Sequence, residues 1–185
     1  QTAVITTVLP QQFHRFTAYE RFTSEGPLAL LPMSDGRCTA VLTLSSERAR
    51  DALQWSDEQY LAELQSRFGF RLGRFLKAGR RSAYPLALTQ SAATTAPRCI
   101  IMGNAAQSLH PVAGMGFNLG LRDAAALAEL LAQVARSGGD VGAPALLERY
   151  ATAREADRDG VVRFTDALVR GFSDARAGRA TLRNL

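Results

Sequence analysis

An α+β fold is what this 185-residue sequence predicts: an antiparallel sheet with inserted helices first, and helices after it. Three observations carry that prediction. Short β-branched and apolar runs, separated by turn residues, fill the first 90 positions as strands do. An apolar run at 99–102, of the kind that makes a buried strand, breaks into a glycine-bearing loop, which opens into an alanine- and leucine-rich stretch of helical period. From there the apolar positions keep helical spacing almost to the end of the chain.

Taken in order, residues 2–9 read as a strand ended by Pro10. Residues 13–22 read as a second strand, with Phe16, Ala18, Glu20 and Phe22 on one face. Two further runs, 28–33 and 38–44, flank Ser34-Asp35-Gly36-Arg37, and Asp-Gly between two such runs predicts a hairpin turn. Residues 45–53 and 56–68 read as helices. Ser56 suits the cap of the second, Asp57 and Glu58 its first turn, and Tyr60, Leu61, Leu64 and Phe68 its buried face. Gly69 then stops it. Residues 75–88 are strand-like with a break near Pro85, and the small, polar stretch 90–97 is the expected boundary, giving domains 1–90 and 91–185.

In the second half, 119–136 reads as a helix with Ala124, Leu127, Leu131 and Val134 as its apolar stripe, ended by Ser137-Gly138-Gly139-Asp140. Pro144 suits the first turn of another, which buries Leu146, Leu147, Tyr150 and Ala153. Gly160 is expected to mark a bend or joint, after which Val161, Thr165, Leu168 and Phe172 repeat at helical spacing. Arg154, Arg158, Arg163, Arg170 and Arg176 stud the polar side of that last segment, facing solvent or anionic lipid.

Apolar residues make up 46% of the chain, enough for a core, which excludes a disordered segment. The net charge of +5 comes mainly from arginines spread over helices, the pattern of solvated faces and not of a nucleic-acid stripe. Cys38 and Cys99 lie far apart in strand-like contexts, which points to reduced thiols and a cytoplasmic setting. No secretory leader is recognised, and no apolar run approaches the roughly 20 residues needed to span a bilayer, so membrane contact is expected only at the periphery. The two histidines, His14 and His110, cannot make a metal site alone, and no metal is expected.

The chemistry is concentrated where the 99–102 run meets the next helix. The first backbone N–H groups of a helix have no partner inside it, and with the macrodipole they favour an electron-rich ligand. Glycines nearby let backbone approach closely.

That stretch, Gly103-Asn104-Ala105-Ala106-Gln107-Ser108-Leu109-His110-Pro111-Val112-Ala113-Gly114-Met115-Gly116-Phe117-Asn118-Leu119-Gly120-Leu121-Arg122-Asp123-Ala124, resembles the second FAD-binding motif of class A flavin monooxygenases, the aromatic-ring hydroxylases. Agreement in type and order over about 22 consecutive positions is far more specific than a lone glycine pattern. The Gly-Asn-Ala-Ala-Gln form is most similar to the ubiquinone-biosynthesis branch, the polyprenyl-methoxyphenol hydroxylases. The resemblance implies a substrate-domain sheet over 1–90 and, over 91–185, the second part of a Rossmann-like FAD-binding domain with trailing helices. It implies FAD as cofactor, NAD(P)H as reductant, and O₂-dependent hydroxylation of a polyprenylated phenol.

By the same resemblance Gly103 and Asn104 touch the ribityl or phosphate side of FAD. Pro111 sits near substrate and ring as the catalytic position, and Gly114, Met115, Gly116, Phe117 and Asn118 face the edge of the ring where negative charge develops. Asn104 replaces the usual Asp, which exchanges a charge-assisted hydrogen bond for a neutral one of about half the strength. Met115 replaces the usual Gln and leaves a flexible thioether. The larger departure is that no Gly-x-Gly-x-x-Gly turn is present to hold the ADP half of FAD. The chain is therefore expected to be a fragment of a longer enzyme, inactive alone. Two alternatives stay open, a sister ring hydroxylase on another phenol and a non-catalytic module whose basic helix docks on membrane or partner, and a homo-oligomer is compatible with either.

Overall fold

The computed structural model describes residues 1–109 and 114–173, with side chains through 168. Over these residues the fold is mixed α and β, with an antiparallel sheet and four α-helices. It divides into compact units, one containing Gln1–Leu86 and the other Ala87–Leu168.

The first unit is a six-stranded antiparallel sheet with two helices. Its strands are β1 Thr2–Pro10, β2 Tyr19–Thr23, β3 Gly26–Pro32, β4 Cys38–Leu44, β5 Phe75–Ala78 and β6 Ser82–Pro85. The path runs β2-β3-β4-β1-β5, and β6 also pairs with β1. Register decides which side chains meet. Val4 stands opposite Leu42, Thr6 opposite Ala40 and Val8 opposite Cys38, while Leu28 and Leu30 oppose the same Leu42 and Ala40 from β3. Because side chains alternate along a strand, these residues share one face. That face is buried.

Helices α1 (Ser46–Ala52) and α2 (Asp57–Phe68) supply Ala49, Ala52, Tyr60, Leu64 and Phe68 to the same core. Burying a leucine or phenylalanine stabilises by about 1.5–3 kcal/mol, so this face dominates the energetics of the unit. Both helices form where expected, with the cap expected at Ser56 and a further one at Ser45. The Ser45 and Ser56 hydroxyls accept backbone N–H bonds, and Ser56 with Gln59 forms a full capping box. Gly69 ends α2 at φ +84°. The Asp35-Gly36 turn joins β3 to β4, with Met33 N–H donating to the Arg37 carbonyl at 2.9 Å.

Two strands differ from expectation. The run 13–22 yields strand only from Tyr19, because Arg15 and Phe16 adopt φ +51° and +56° and turn the chain. His14 holds that turn from inside: it is fully buried, its Nδ1 accepts the Phe16 N–H at 3.0 Å, and Nε2–H donates to the Met33 carbonyl at 3.0 Å. The strand-like run 75–88 stops at Pro85 as expected, where β6 ends, but it also breaks at 79–81. Gly79 is pinned to β1 there, its N–H donating to the Thr7 carbonyl at 2.8 Å and its carbonyl accepting the Thr6 hydroxyl at 2.8 Å.

Among the described residues the second unit carries four two-residue strands, β7 Thr89–Gln90, β8 Thr95–Ala96, β9 Cys99–Ile100 and β10 Gln107–Ser108, paired β7 with β10 and β8 with β9. A 3-10 turn, Gly103–Ala105, lies between β9 and β10. Helices α3 (Met115–Arg136) and α4 (Pro144–Ser173) complete it. The buried strand expected at 99–102 is reduced to β9, and Cys99 is exposed. A short apolar run is buried when sheet flanks it on both sides, and β9 pairs only with β8 among the described residues.

Each long helix departs in part from its expected face. In α3 Leu127, Leu131 and Val134 are half-buried along the expected stripe, but Ala124 is exposed and the fully buried residues are Leu119 and Asp123. In α4 Leu146, Leu147 and Tyr150 are buried as expected, but Ala153 is exposed and Arg154, expected on the polar side, is buried. Gly160 makes no joint: α4 runs through it for 30 residues. A glycine costs a helix only about 1 kcal/mol, and buried Val161, Val162 and Thr165 beyond it hold the next turns. Phe172, Arg170 and Arg176 lie outside the described side chains. Among the described residues no helix is long and apolar enough to cross a membrane.

Candidate functional site

Two backbone features build the site. The Gly103–Ala105 turn closes through the Ala106 N–H donating to the Gly103 carbonyl at 3.0 Å. It leaves Asn104 exposed, with no hydrogen-bond partner for its side chain among the described residues. Helix α3 opens at Gly114, whose φ of +60° is left-handed and costs an L side chain roughly 1–2 kcal/mol. Among the described residues no side chain caps this end, and its first turn holds no acid. The first N–H groups of a 22-residue helix are thus left at the positive end of its dipole, with no side-chain acceptor among the described residues.

The two features lie close together. A Cβ on Gly120 would stand 3.3 Å from the Gly103 Cα, so α3 and the turn touch where Gly120 has no side chain. Gly120 is four residues, about 6 Å along the axis, beyond Gly116. In front of Gly114 and Gly116 the space is open: a Cβ on either would meet nothing within 4 Å. A groove of about 490 Å³ runs beside this start, lined by Met115, Asn118, Leu121, Arg122 and Ala125. The Phe117 ring is 77% exposed, and the Asn118 amide donates back to the Gly114 carbonyl at 3.4 Å. Pro111 and His110 lie outside the described residues.

Beneath the turn sits a group that sequence reasoning missed. The Asp123 carboxylate is buried. Its Oδ1 accepts Arg154 Nε at 2.7 Å, and its Oδ2 accepts Gln107 Nε2 at 3.2 Å and the Gly103 N–H at 3.5 Å. Arg154 in turn donates to Asp157 Oδ2 at 2.6 Å, and Asp157 also takes Arg122 Nε at 3.0 Å. Burial works against the Arg154 cation, but the hydrogen bonds to Asp123 and Asp157 outweigh it and raise its pKa above the ordinary arginine value. Burial, reinforced by the Asp123 charge, pushes the nearby Tyr150 hydroxyl up as well. A signal for this pair was present in the sequence. Asp123 falls four residues after Leu119, on the apolar stripe of α3, and Arg154 four after Tyr150 on that of α4.

An uncapped helix start, glycines opening onto free space and an exposed amide on the adjoining turn suit the polar edge of a flat, electron-rich cofactor. The residues therefore fit the ring and ribityl part of FAD.

Comparisons with known proteins agree. Over its full length the chain is 43% identical to the ubiquinone hydroxylase UbiL of Rhodospirillum rubrum, of which it covers 43%. It is 34% identical to the 3-demethoxyubiquinol 3-hydroxylase of Escherichia coli, over 91% of this chain and 43% of that protein. The chain thus spans less than half the length of these relatives. In fold it matches PqsL, a probable FAD-dependent monooxygenase of Pseudomonas aeruginosa, with a TM-score of 0.75 at 20% identity, over 100% of this chain and 52% of that one. The family described as "FAD binding domain" matches residues 3–165. The resemblance to flavin monooxygenases read from residues 103–124 is borne out, and the chain belongs to the FAD binding domain family.

Proposed function

We propose that this chain is part of an FAD- and NAD(P)H-dependent hydroxylase that acts on a polyprenylated phenol ring in ubiquinone biosynthesis. Residues 1–90 serve the substrate and 91–185 the cofactor. The observation that carries the reading is the uncapped start of α3 at Gly114 beside the Gly103 turn. The ubiquinone hydroxylases among its relatives supply the substrate class. When bound and reduced, FAD supplies the oxygen-transfer chemistry, and the chain supplies placement, charge stabilisation and exclusion of water.

In this reading the N–H groups of 115–118 face the ring edge where negative charge develops. A helix N-terminus stabilises such a charge by about 0.3–1 kcal/mol when exposed and about 2 kcal/mol when partly buried, enough to tune a redox step and not to drive it. The Asn104 carbonyl oxygen accepts from a ribityl hydroxyl, and Pro111 borders substrate and ring. The test is Gly116→Val in the protein expressed from its full reading frame. Since a Cβ there meets nothing within 4 Å, the fold should tolerate the change. Bound flavin should be lost, because the new side chain fills the space through which the cofactor approaches, at a cost of more than about 3 kcal/mol. A folded Gly116→Val protein with unchanged flavin content overturns the reading.

A further inference from the structure

We propose that Asp123 is a positioning residue, which fixes the Gly103–Gln107 segment against α3 and so sets where Asn104 stands relative to the helix start. The inference rests on the cofactor reading above. Its ground is how the two carboxylate oxygens are divided. Oδ1 is committed to Arg154 of α4, whereas both partners of Oδ2 come from one short segment: the Gly103 N–H, one residue before Asn104, and the Gln107 amide, three residues after it. Asn104 is therefore bracketed by two bonds to a single oxygen. Gly120, with its 3.3 Å clearance to Gly103, permits the approach that those bonds require.

The carboxylate is isolated from water and set from behind. Its side chain is 2% exposed and that of Arg154 9%. Asp157 holds Arg154 in place at 2.6 Å, so a chain of charged groups leads from α4 through α3 to the turn. Buried charge of this kind adds little net stability over a well-packed apolar core, but it does fix geometry once its partners are assembled.

Every group that meets Asp123 is a donor: a guanidinium N–H, an amide NH₂ and a backbone N–H. An acid with four lone-pair sites serves all three, whereas an amide of the same shape offers one acceptor oxygen and presents its own NH₂ to the others. Asp123→Asn thus breaks either the Arg154 side or the Gly103–Gln107 side, whichever way its amide turns. Pairing it with Gln107→Glu gives the introduced amide a carboxylate to donate to, restoring a link between α3 and the turn without altering net charge.

The experiment uses the protein expressed from its full reading frame and compares Asp123→Asn, that double variant, and Leu119→Ala, a core change on the same face of α3 that breaks no bond to the turn. Hydrogen exchange of the amides of 103–107 is measured without cofactor, and FAD affinity by fluorescence titration. Asp123→Asn is expected to speed exchange across 103–107 and weaken FAD about tenfold or more, the loss of a charge-assisted bond. The double variant should recover most of both. Leu119→Ala, at equal or greater loss of melting temperature, should leave FAD affinity within about twofold. Should Asp123→Asn not fold, Gln107→Ala removes one of the bracketing bonds while leaving the Arg154 pair, and is read the same way.

The proposal is overturned if Asp123→Asn lowers the melting temperature while exchange at 103–107 and FAD affinity track those of Leu119→Ala. If the unsubstituted protein takes up no FAD, the cofactor reading fails and the proposed consequence for FAD fails with it. The exchange comparison would still decide whether Asp123 holds the turn.

Discussion

At the scale of single residues the site depends on Asn104 and on the pair beneath it. Asn104 is exposed and its side chain has no partner among the described residues, so a new charge there would disturb no bond that the structure shows. If it faces the ribityl chain, Asn104→Asp should tighten FAD by about 1 kcal/mol, the difference between a neutral and a charge-assisted hydrogen bond. A fluorescence titration on the protein from its full reading frame checks this, and equal or weaker affinity would place Asn104 elsewhere. Asp123 and Arg154 work differently, since each is buried and each satisfies the other. Their spacing within the helices was legible in the sequence. Their partnership was not, because a buried charge is accepted only if an opposite one arrives from 31 residues away.

At the scale of elements, capping and periodicity explain most of what forms. Helix α4 shows where they stop short: Gly160 reads as a joint, yet the helix passes through it because packing on both sides outweighs one poor residue. A Cβ at Gly160 would meet nothing within 4 Å and its φ is not left-handed. Gly160→Ala should therefore raise stability by about 0.5–1 kcal/mol, seen as a higher melting temperature with FAD affinity unchanged. Helix α2 carries one acid-sensitive group of the first unit, Glu63. Glu63 is partly buried, which works against its charge, but Arg67 and Arg48 at 2.6 and 2.8 Å outweigh this and hold its pKa below the ordinary 4.5. A lowered folded-state pKa contributes stability that is present above the unfolded value and lost as pH falls through the folded one. Unfolding free energy should thus decline as pH drops below about 4.5, and Glu63→Gln should flatten that decline. Urea titrations at stepped pH would show it, and a slope unchanged by the substitution would remove Glu63 from the account.

At the scale of the whole molecule, the chain covers 43% of the length of the UbiL and E. coli relatives and contains no Gly-x-Gly-x-x-Gly turn. Holding FAD through the ring-side contacts alone would have to offset an immobilisation cost of about 4 kcal/mol or more. These 185 residues, mixed with excess FAD and desalted, should give a folded protein without a flavin band in the visible spectrum. Retention near one flavin per chain would mean that the contacts present suffice. The sequence by itself determined the α+β class, the capped helices α1 and α2, the hairpin at Asp35-Gly36 and the family, since each rests on neighbours within a few positions and on a motif unbroken over 22 of them. Tertiary structure alone decided that His14 turns the chain before β2, that the 99–102 run stays short and partly exposed, and that Arg154 leaves the solvent face for Asp123. In each of these a side chain or strand is committed by a partner distant in sequence, and local propensities of a few tenths of a kcal/mol yield to the cost of leaving a buried polar group unpaired.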